Sequence, residues 1–355
     1  MRSCAEFLAG ELDRLGFKPR VDELKSVYGE KTFQSGTGTF LINTHFDTVS
    51  SSPNWNRDPL HASLEGDRLY GLGTADAKGG IAATLFAIAK MRDCRFRTLK
   101  VLFSNYEDNN ITIDGQTWLG TPYFLEHNHL EADGGINVEG TVKDDKFTVS
   151  LGCGGRVGFV VTTLGKEAHS SDPRLGRNAI YDMVKVIEAL RRVPPARMTL
   201  DGHEAYTELN VSVIKGGTAI NIVPGECKIT CERRVLPNEK WDDVKREVDQ
   251  ALSTVQRINF KVEFYKPQES YLLERTHPAV TLAVGSTLKI LGYKPEFRVE
   301  SGRTDSTYLN HMAGIKTVIF GPGETENEHI PDEFINVKRL EEFTEIMHYI
   351  LSKPS

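Results

Sequence analysis

His45-Phe46-Asp47 sets an imidazole and a carboxylate two residues apart, immediately after the strand-like run Phe40-Leu41-Ile42. In extended chain such a pair lies on one side. Asp47 can then accept the far N–H of the His45 ring and fix its tautomer, the arrangement found behind metal-bound histidines, although a bare pair of this kind also reads as a surface turn. Further on, Gly71-Leu72-Gly73-Thr74-Ala75-Asp76-Ala77-Lys78-Gly79-Gly80 is a glycine-rich turn that opens a helix. A phosphate cradle is the competing reading, but the GxxxxGK[ST] order is absent and Asp76 would repel phosphate, which favours Asp76 as a cation ligand. Glu107 and Asp108 follow the run Val101-Leu102-Phe103, Glu139 follows Val138, and His329 lies in a late loop. Either acidic segment alone reads as a solvated turn. If His45, Asp76, Asp108, Glu139 and His329 meet, a divalent metal would balance all of them.

The elements that must position these groups follow from periodicity. Phe40-Leu41-Ile42 and Val101-Leu102-Phe103 read as strands flanking a helix over 79–91 that sets Ile81, Leu85, Ile88 and Ala89 on one face. This βαβ rhythm implies a parallel sheet, and the acids then fall at strand ends, where open parallel sheets place ligand sites. The last third resumes the rhythm with a helix carrying Val280, Val284, Leu288 and Leu291, the strand Val318-Ile319-Phe320, and a closing helix with Leu340, Phe343, Met347 and Ile350. The middle reads βαββαβ, the ferredoxin-like split. Its strands are Val157 to Leu164, Leu209 to Val213, 226–235 and Ile258 to Phe264; one helix carries Ile180, Met183, Val184, Ile187 and Leu190, the other Trp241, Val244, Val248, Leu252 and Val255. The expected fold is therefore α/β: a mixed, mainly parallel sheet with helices on both faces, formed by residues 1–155 and 266–355 and interrupted by an inserted domain at 156–265.

Composition narrows the partners. Forty-three Lys and Arg against 49 Asp and Glu give a net charge of −6, so no cationic field draws the chain to nucleic acid or anionic lipid. A small-molecule partner is expected instead. No apolar run approaches the ~18 residues of a membrane span, the opening residues lack the pattern of a signal peptide, and five scattered cysteines form no disulfide framework, which together suggest the cytoplasm. Cys227 and Cys231, an even number of residues apart in a strand, read as core packing, and His127 and His129 read as surface residues.

In order along the chain, these segments resemble the dinuclear zinc amidohydrolase and peptidase superfamily of acetylornithine deacetylase, succinyl-diaminopimelate desuccinylase, aminoacylase and glutamate carboxypeptidase. The resemblance rests on HxDxV at His45, Asp47 and Val49, a tryptophan loop from Trp55 to Pro59, YGxGxxDxKGG from Tyr70 to Gly80, and Phe103 to Asp108. It continues through Glu139-Gly140-Thr141, Ala168-His169-Ser170, and His329 to Glu333.

The resemblance implies that Asp76 bridges two divalent ions, zinc or alternatively cobalt, with His45 and Glu139 completing one and Asp108 and His329 the other. Two cations polarise an amide carbonyl and acidify a shared water, while Glu107 is the general base and Asp47 supports His45. His169 would stabilise the oxyanion across the interface of a homodimer formed by the inserted domain. Asn221 and Arg234 would clamp the substrate carboxylate, a task suited to arginine's planar fork, with a strand-end salt bridge the alternative reading of Arg234. Gly302, Thr304 and Asp305 fall where relatives bind the substrate's polar end, and Arg303 could add a charge there. Two departures stand out. Asp108 replaces the usual glutamate and is shorter by about 1.5 Å, and the chain opens about one helix into the family's usual sequence, so that Ala5, Leu8, Leu12, Leu15 and Gly16 read as the tail of the first elements. The expected activity is cleavage of an N-acyl amino acid amide, most like acetylornithine deacetylase in arginine biosynthesis. The alternatives are a succinyl-diaminopimelate desuccinylase-like deacylase, a dipeptidase or carboxypeptidase, and a metal-binding relative without turnover.

Overall fold

The computed structural model describes residues 3–113 and 116–353. The chain forms two compact units, one made of Met1–Gly152, Leu273–Arg298 and Thr304–Ser355, the other of Cys153–Leu272 and Val299–Arg303.

The first unit is built on a mixed sheet in which the strands Arg20–Val21, Val27–Thr32, Thr98–Ser104, Thr39–His45, Gly134–Asn137 and Thr317–Ile319 are neighbours in that order. The last four run parallel and the first three pair antiparallel. Parallel strands are buried on both faces and read as continuous apolar runs. Residues 40–46 are accordingly all buried. Helices Gly79–Lys90, Pro278–Leu291 and Val337–Leu351 pack together, as do Gly120–His127 and Asp305–Met312. Phe124 and Leu309 of the second group share a core cluster with Tyr28, Leu41 and Leu102 of the sheet.

In the helix Gly79–Lys90 the buried face is Ile81, Ala83, Thr84, Ala87 and Ile88. Leu85 is only partly buried and Ala89 is exposed. The expected stripe is therefore rotated, because glycine, alanine and threonine let the helix approach its neighbours closely on a side that hydropathy alone undervalues. Gly80 shows the constraint: a Cβ there would lie 2.6 Å from Cγ1 of Val138, the residue before Glu139.

The second unit carries a four-stranded antiparallel sheet in the order Asn210–Gly216, Glu226–Val235, Gly155–Leu164, Asn259–Phe264. Its core joins Val157, Phe159 and Val161 to Met183, Val186 and Leu190 of the helix Ala179–Leu190 and to Val244, Val248 and Leu252 of the helix Trp241–Ser253. Cys227 and Cys231 are buried in it, as their spacing suggested. Val255 packs on the core from beyond the helix end, whereas Val184 is exposed beside Tyr181. A hairpin of Ala196–Leu200 and His203–Thr207, not anticipated from periodicity, precedes the strand at 210.

Of the adjacent arginines in Glu226–Val235, Arg233 is fully buried and forks onto Glu239, at 2.7 and 3.2 Å. Arg233→Ala would strand the Glu239 carboxylate in a poorly hydrated place. Urea unfolding should show a loss of about 3 kcal/mol, and Arg233→Met, which restores packed volume but breaks the same ion pair, should recover only part of it; full recovery in Arg233→Met would contradict the ion-pair account.

Candidate metal centre

Parallel register brings the cluster together. His45 pairs with Ser104 across one strand boundary, and Asn43 pairs with Asn137 across the other. His45, Glu139 and the turn carrying Glu107 and Asp108 therefore leave the same edge of the sheet. Asp76 arrives from the turn before Gly79–Lys90, where Gly73 takes a left-handed φ of 83° that a side chain would disfavour. His329 arrives from the loop after Thr317–Ile319.

The two oxygens of Asp76 face different imidazoles. Oδ1 lies 2.9 Å from His45 Nε2, and Oδ2 lies 3.0 Å from His329 Nε2. His45 Nε2 is also 3.4 Å from Glu139, and His329 Nε2 is 3.1 Å from Asp108. Ligand atoms of His45, Asp76 and Asp108 all fall within 4.8 Å of one another. The shorter Asp108 side chain thus still reaches the cluster. Behind it, His45 Nδ1 faces the Asp47 carbonyl at 3.2 Å and the Asp47 carboxylate at 3.4 Å. That carboxylate also accepts the backbone N–H groups of Glu107 at 3.0 Å and Asn109 at 3.3 Å. Asp47 therefore orients the Glu107 turn as well as the imidazole.

Electrostatics describe a site with more negative charge than its imidazoles can offset. Burial opposes a charge on His45, but Glu139 and Asp76 outweigh it and raise its pKa well above the usual value. Hydrogen bonds to Asp108 and Asp76 lift His329 to about 10. Burial pushes Glu139 up to about 7 despite the opposing pull of His45. Burial would likewise raise Asp76, yet the two imidazoles bring it below the ordinary carboxylate range. Protons here occupy positions that suit cations. Oδ2 of Asp108 is moreover buried without a hydrogen-bond partner among the described residues. Two imidazole nitrogens with carboxylate oxygens are a donor set for zinc or a related divalent ion, so these residues fit the group expected from sequence.

A family model described as peptidase family M20/M25/M40 matches residues 41–353. The chain belongs to this family. Like other M20 proteins it is a metal-dependent amidohydrolase, and the family generally binds two divalent metals. Among its curated relatives, acetylornithine deacetylase of Pasteurella multocida (strain Pm70) is 28% identical over 371 residues, spanning 99% of this chain and 91% of the relative. The enzyme of that name from Erwinia tasmaniensis is 31% identical over 320 residues, spanning 85% and 76%. Among solved structures, an M20 family metallo-carboxypeptidase from Sulfolobus solfataricus superposes with a TM-score of 0.77 at 22% identity, covering 98% of this chain and 92% of that one. Human carnosine dipeptidase 1 gives 0.73 at 16% identity, covering 97% and 88%. These two likenesses establish the M20 fold.

The other candidates occupy separate places. In the second unit, His169 and Asn221 lie exposed on neighbouring loops, joined by a bridge between His169 and Ile222 and by Ser170 N–H donating to the Asn221 carbonyl at 3.0 Å. His169 Nδ1 accepts the backbone N–H of Ser171 at 3.1 Å, which leaves the ring proton on Nε2. Arg234 pairs with Glu232 at 2.9 Å, the salt bridge that was its alternative reading. Gly302 is exposed in the same unit. Thr304, in the first unit, caps the helix Asp305–Met312 by accepting the N–H of Ser306. His127 and His129 are exposed, engaged with the Tyr123 carbonyl and with Glu131.

Three buried polar residues near the cluster, Asn43, Ser104 and Asn137, escaped sequence reasoning. Asn137 donates to Asn43 at 2.9 Å and reaches Glu139 at 3.5 Å. Asn43 reaches Asp305 at 3.5 Å, and Asp305 accepts from the Ser104 hydroxyl. Asp332 ties down the tryptophan loop through Asn56, whose side chain donates at 2.6 Å. The signal of Asn43, Ser104 and Asn137, polar residues at the ends of apolar runs, is visible only once a partner is known.

Proposed function

We propose that this M20 enzyme hydrolyses the amide of an N-acyl amino acid, as a cytoplasmic deacetylase of the acetylornithine type serving arginine biosynthesis. The observation that carries this reading is the convergence of His45, Asp76 and Asp108 with Glu107 next in sequence; similarity over nearly the whole chain to acetylornithine deacetylases supports an N-acyl amino acid as substrate. His45 and Glu139 would hold one zinc ion and Asp108 and His329 the other, with Asp76 between them. Ions bound there would polarise the scissile carbonyl and acidify the attacking water. Glu107 takes the proton of that water and passes it to the departing amine. Asp47 holds the Glu107 turn and the His45 ring in place. His169 donates from Nε2 to the developing oxyanion, while Asn221, Arg234, Gly302 and Thr304 receive the substrate's carboxylate and polar end. Arg234 would exchange Glu232 for the substrate.

The second unit serves as lid and dimerisation domain in this reading. Its edge strand Asn210–Gly216 exposes Val213 and Ile214, and Tyr181 and Val184 are exposed on the helix Ala179–Leu190 of the same unit. Unpaired strand edges with apolar side chains are normally covered, and a second copy offers the same edge.

Free-amine release from acetylornithine, succinyl-diaminopimelate, acetylcitrulline and dipeptides, in the presence of zinc or cobalt, tests the substrate. Preference for acetylornithine supports the proposal, preference for dipeptides replaces it with a peptidase, and no turnover with metal bound would favour a binding role. The dimer carries its own test. His169→Ala should lower kcat with metal retained, and mixing it with Glu107→Ala subunits should restore part of the rate, since each hybrid then has one intact site. A mixture as slow as its components would exclude action across the interface.

A further inference from the structure

Glu333 makes no hydrogen bond to any side chain assigned to catalysis, yet its own side chain is buried against the turn that delivers Asp76. One oxygen accepts the backbone N–H of Gly73 at 2.8 Å; the other accepts those of Ala75 at 2.9 Å and Asp76 at 3.1 Å. Its own carbonyl accepts from Gly71 N–H at 3.0 Å, and the strand Phe334–Asn336 that follows pairs with Arg68–Tyr70. A single residue thus gathers the backbone on either side of Gly73, which takes a left-handed conformation there. Glu333 also stands four residues after His329. It fastens the segment that carries one imidazole to the turn that carries the carboxylate facing both.

We propose that Glu333 is a positioning residue for the metal centre: it sets Asp76 against His329, so that the second ion, the one held by Asp108 and His329, depends on it. Charge-assisted bonds from a carboxylate are stronger than neutral ones. A glutamine offers one acceptor oxygen for the three N–H groups, and its NH₂ would confront a donor. Partners behind metal ligands typically change metal affinity by about 10–100-fold when altered, and Glu333→Gln should weaken binding of the second zinc by that factor while the first ion is held more nearly as in the wild type. Glu333→Asp, which keeps the charge but is shorter, should recover part of the loss.

The inference rests on the proposed role of Asp76 as a metal ligand. Zinc affinities of wild type, Glu333→Gln and Glu333→Asp, measured by chelator competition, test it, with the melting temperature of each metal-free protein recorded alongside. Ile335→Val, a packing change in the adjoining strand, is the control, expected to lower the melting temperature and leave both affinities alone. Equal affinities in wild type and Glu333→Gln would overturn the inference. So would a loss in which Ile335→Val matches Glu333→Gln, since that would make the effect one of general stability. Failure of the wild type to bind two ions would instead remove the reading beneath it.

Discussion

Glu107→Gln is expected to keep both ions and to lose about a hundred- to ten-thousand-fold in kcat, the range for removing a positioned general base. The side chain is buried beside the cluster. What fixes its turn is backbone: Glu107 N–H donates to Asp47, and Asn109 follows with a second bond to the same carboxylate. Glutamine leaves these bonds in place and changes only the capacity to accept a proton. The loss should fall on kcat with little change in KM, because an interaction made in the transition state has been removed and ground-state binding has not. Steady-state rates beside metal content, on the same preparation, decide the matter. Normal turnover would take Glu107 out of the reaction, and a variant that loses an ion would recast it as a ligand.

His45, Asp108 and Glu139 are legible because each stands just past an apolar strand, where hydropathy changes abruptly, whereas Asp76 and His329 sit in loops and are legible only by motif. An acid or imidazole at the end of an apolar strand must meet water or a partner, and several such ends in one parallel sheet share an edge. The register of His45 with Ser104 and of Asn43 with Asn137 is that shared edge in detail. Other features left weaker traces. Leu200-Asp201-Gly202-His203 carries the two-residue turn chemistry of a tight hairpin, and Asp201 and Gly202 do adopt positive φ. The signal was present, but the strands it joins are short and half exposed. The two-residue spacing shows Asp47 as a partner of the imidazole alone and cannot reveal that its carboxylate also collects N–H groups sixty residues away. Glu333 was visible only as part of a motif, because its partners are main-chain groups, which have no letter in the sequence. The exposure of Val184 is a related case: periodicity gives the apolar face of a helix but cannot say whether a second copy of the chain completes it.

Asp76→Ala should have the broadest effect of any single change at the centre, abolishing high-affinity binding at both positions and reducing turnover to background. Each of its oxygens faces a different imidazole, at 2.9 and 3.0 Å. In the proposed arrangement, loss of His329 would remove a donor from one ion, whereas loss of Asp76 would remove a donor from both and with it the charge that lets two cations sit close together. Elemental analysis after gel filtration should give two ions for the wild type, one for His329→Ala and less than one for Asp76→Ala. A ligand that binds only the folded state raises the melting temperature by mass action, so zinc should stabilise the wild type, and this rise should vanish in Asp76→Ala. Chelation of the wild type should reproduce the variant's inactivity, with zinc restoring the first protein and not the second. If Asp76→Ala retained two ions, or if thorough chelation left the rate of the wild type untouched, the carboxylate would not be the bridge and the chemistry would have to be sought away from this edge of the sheet.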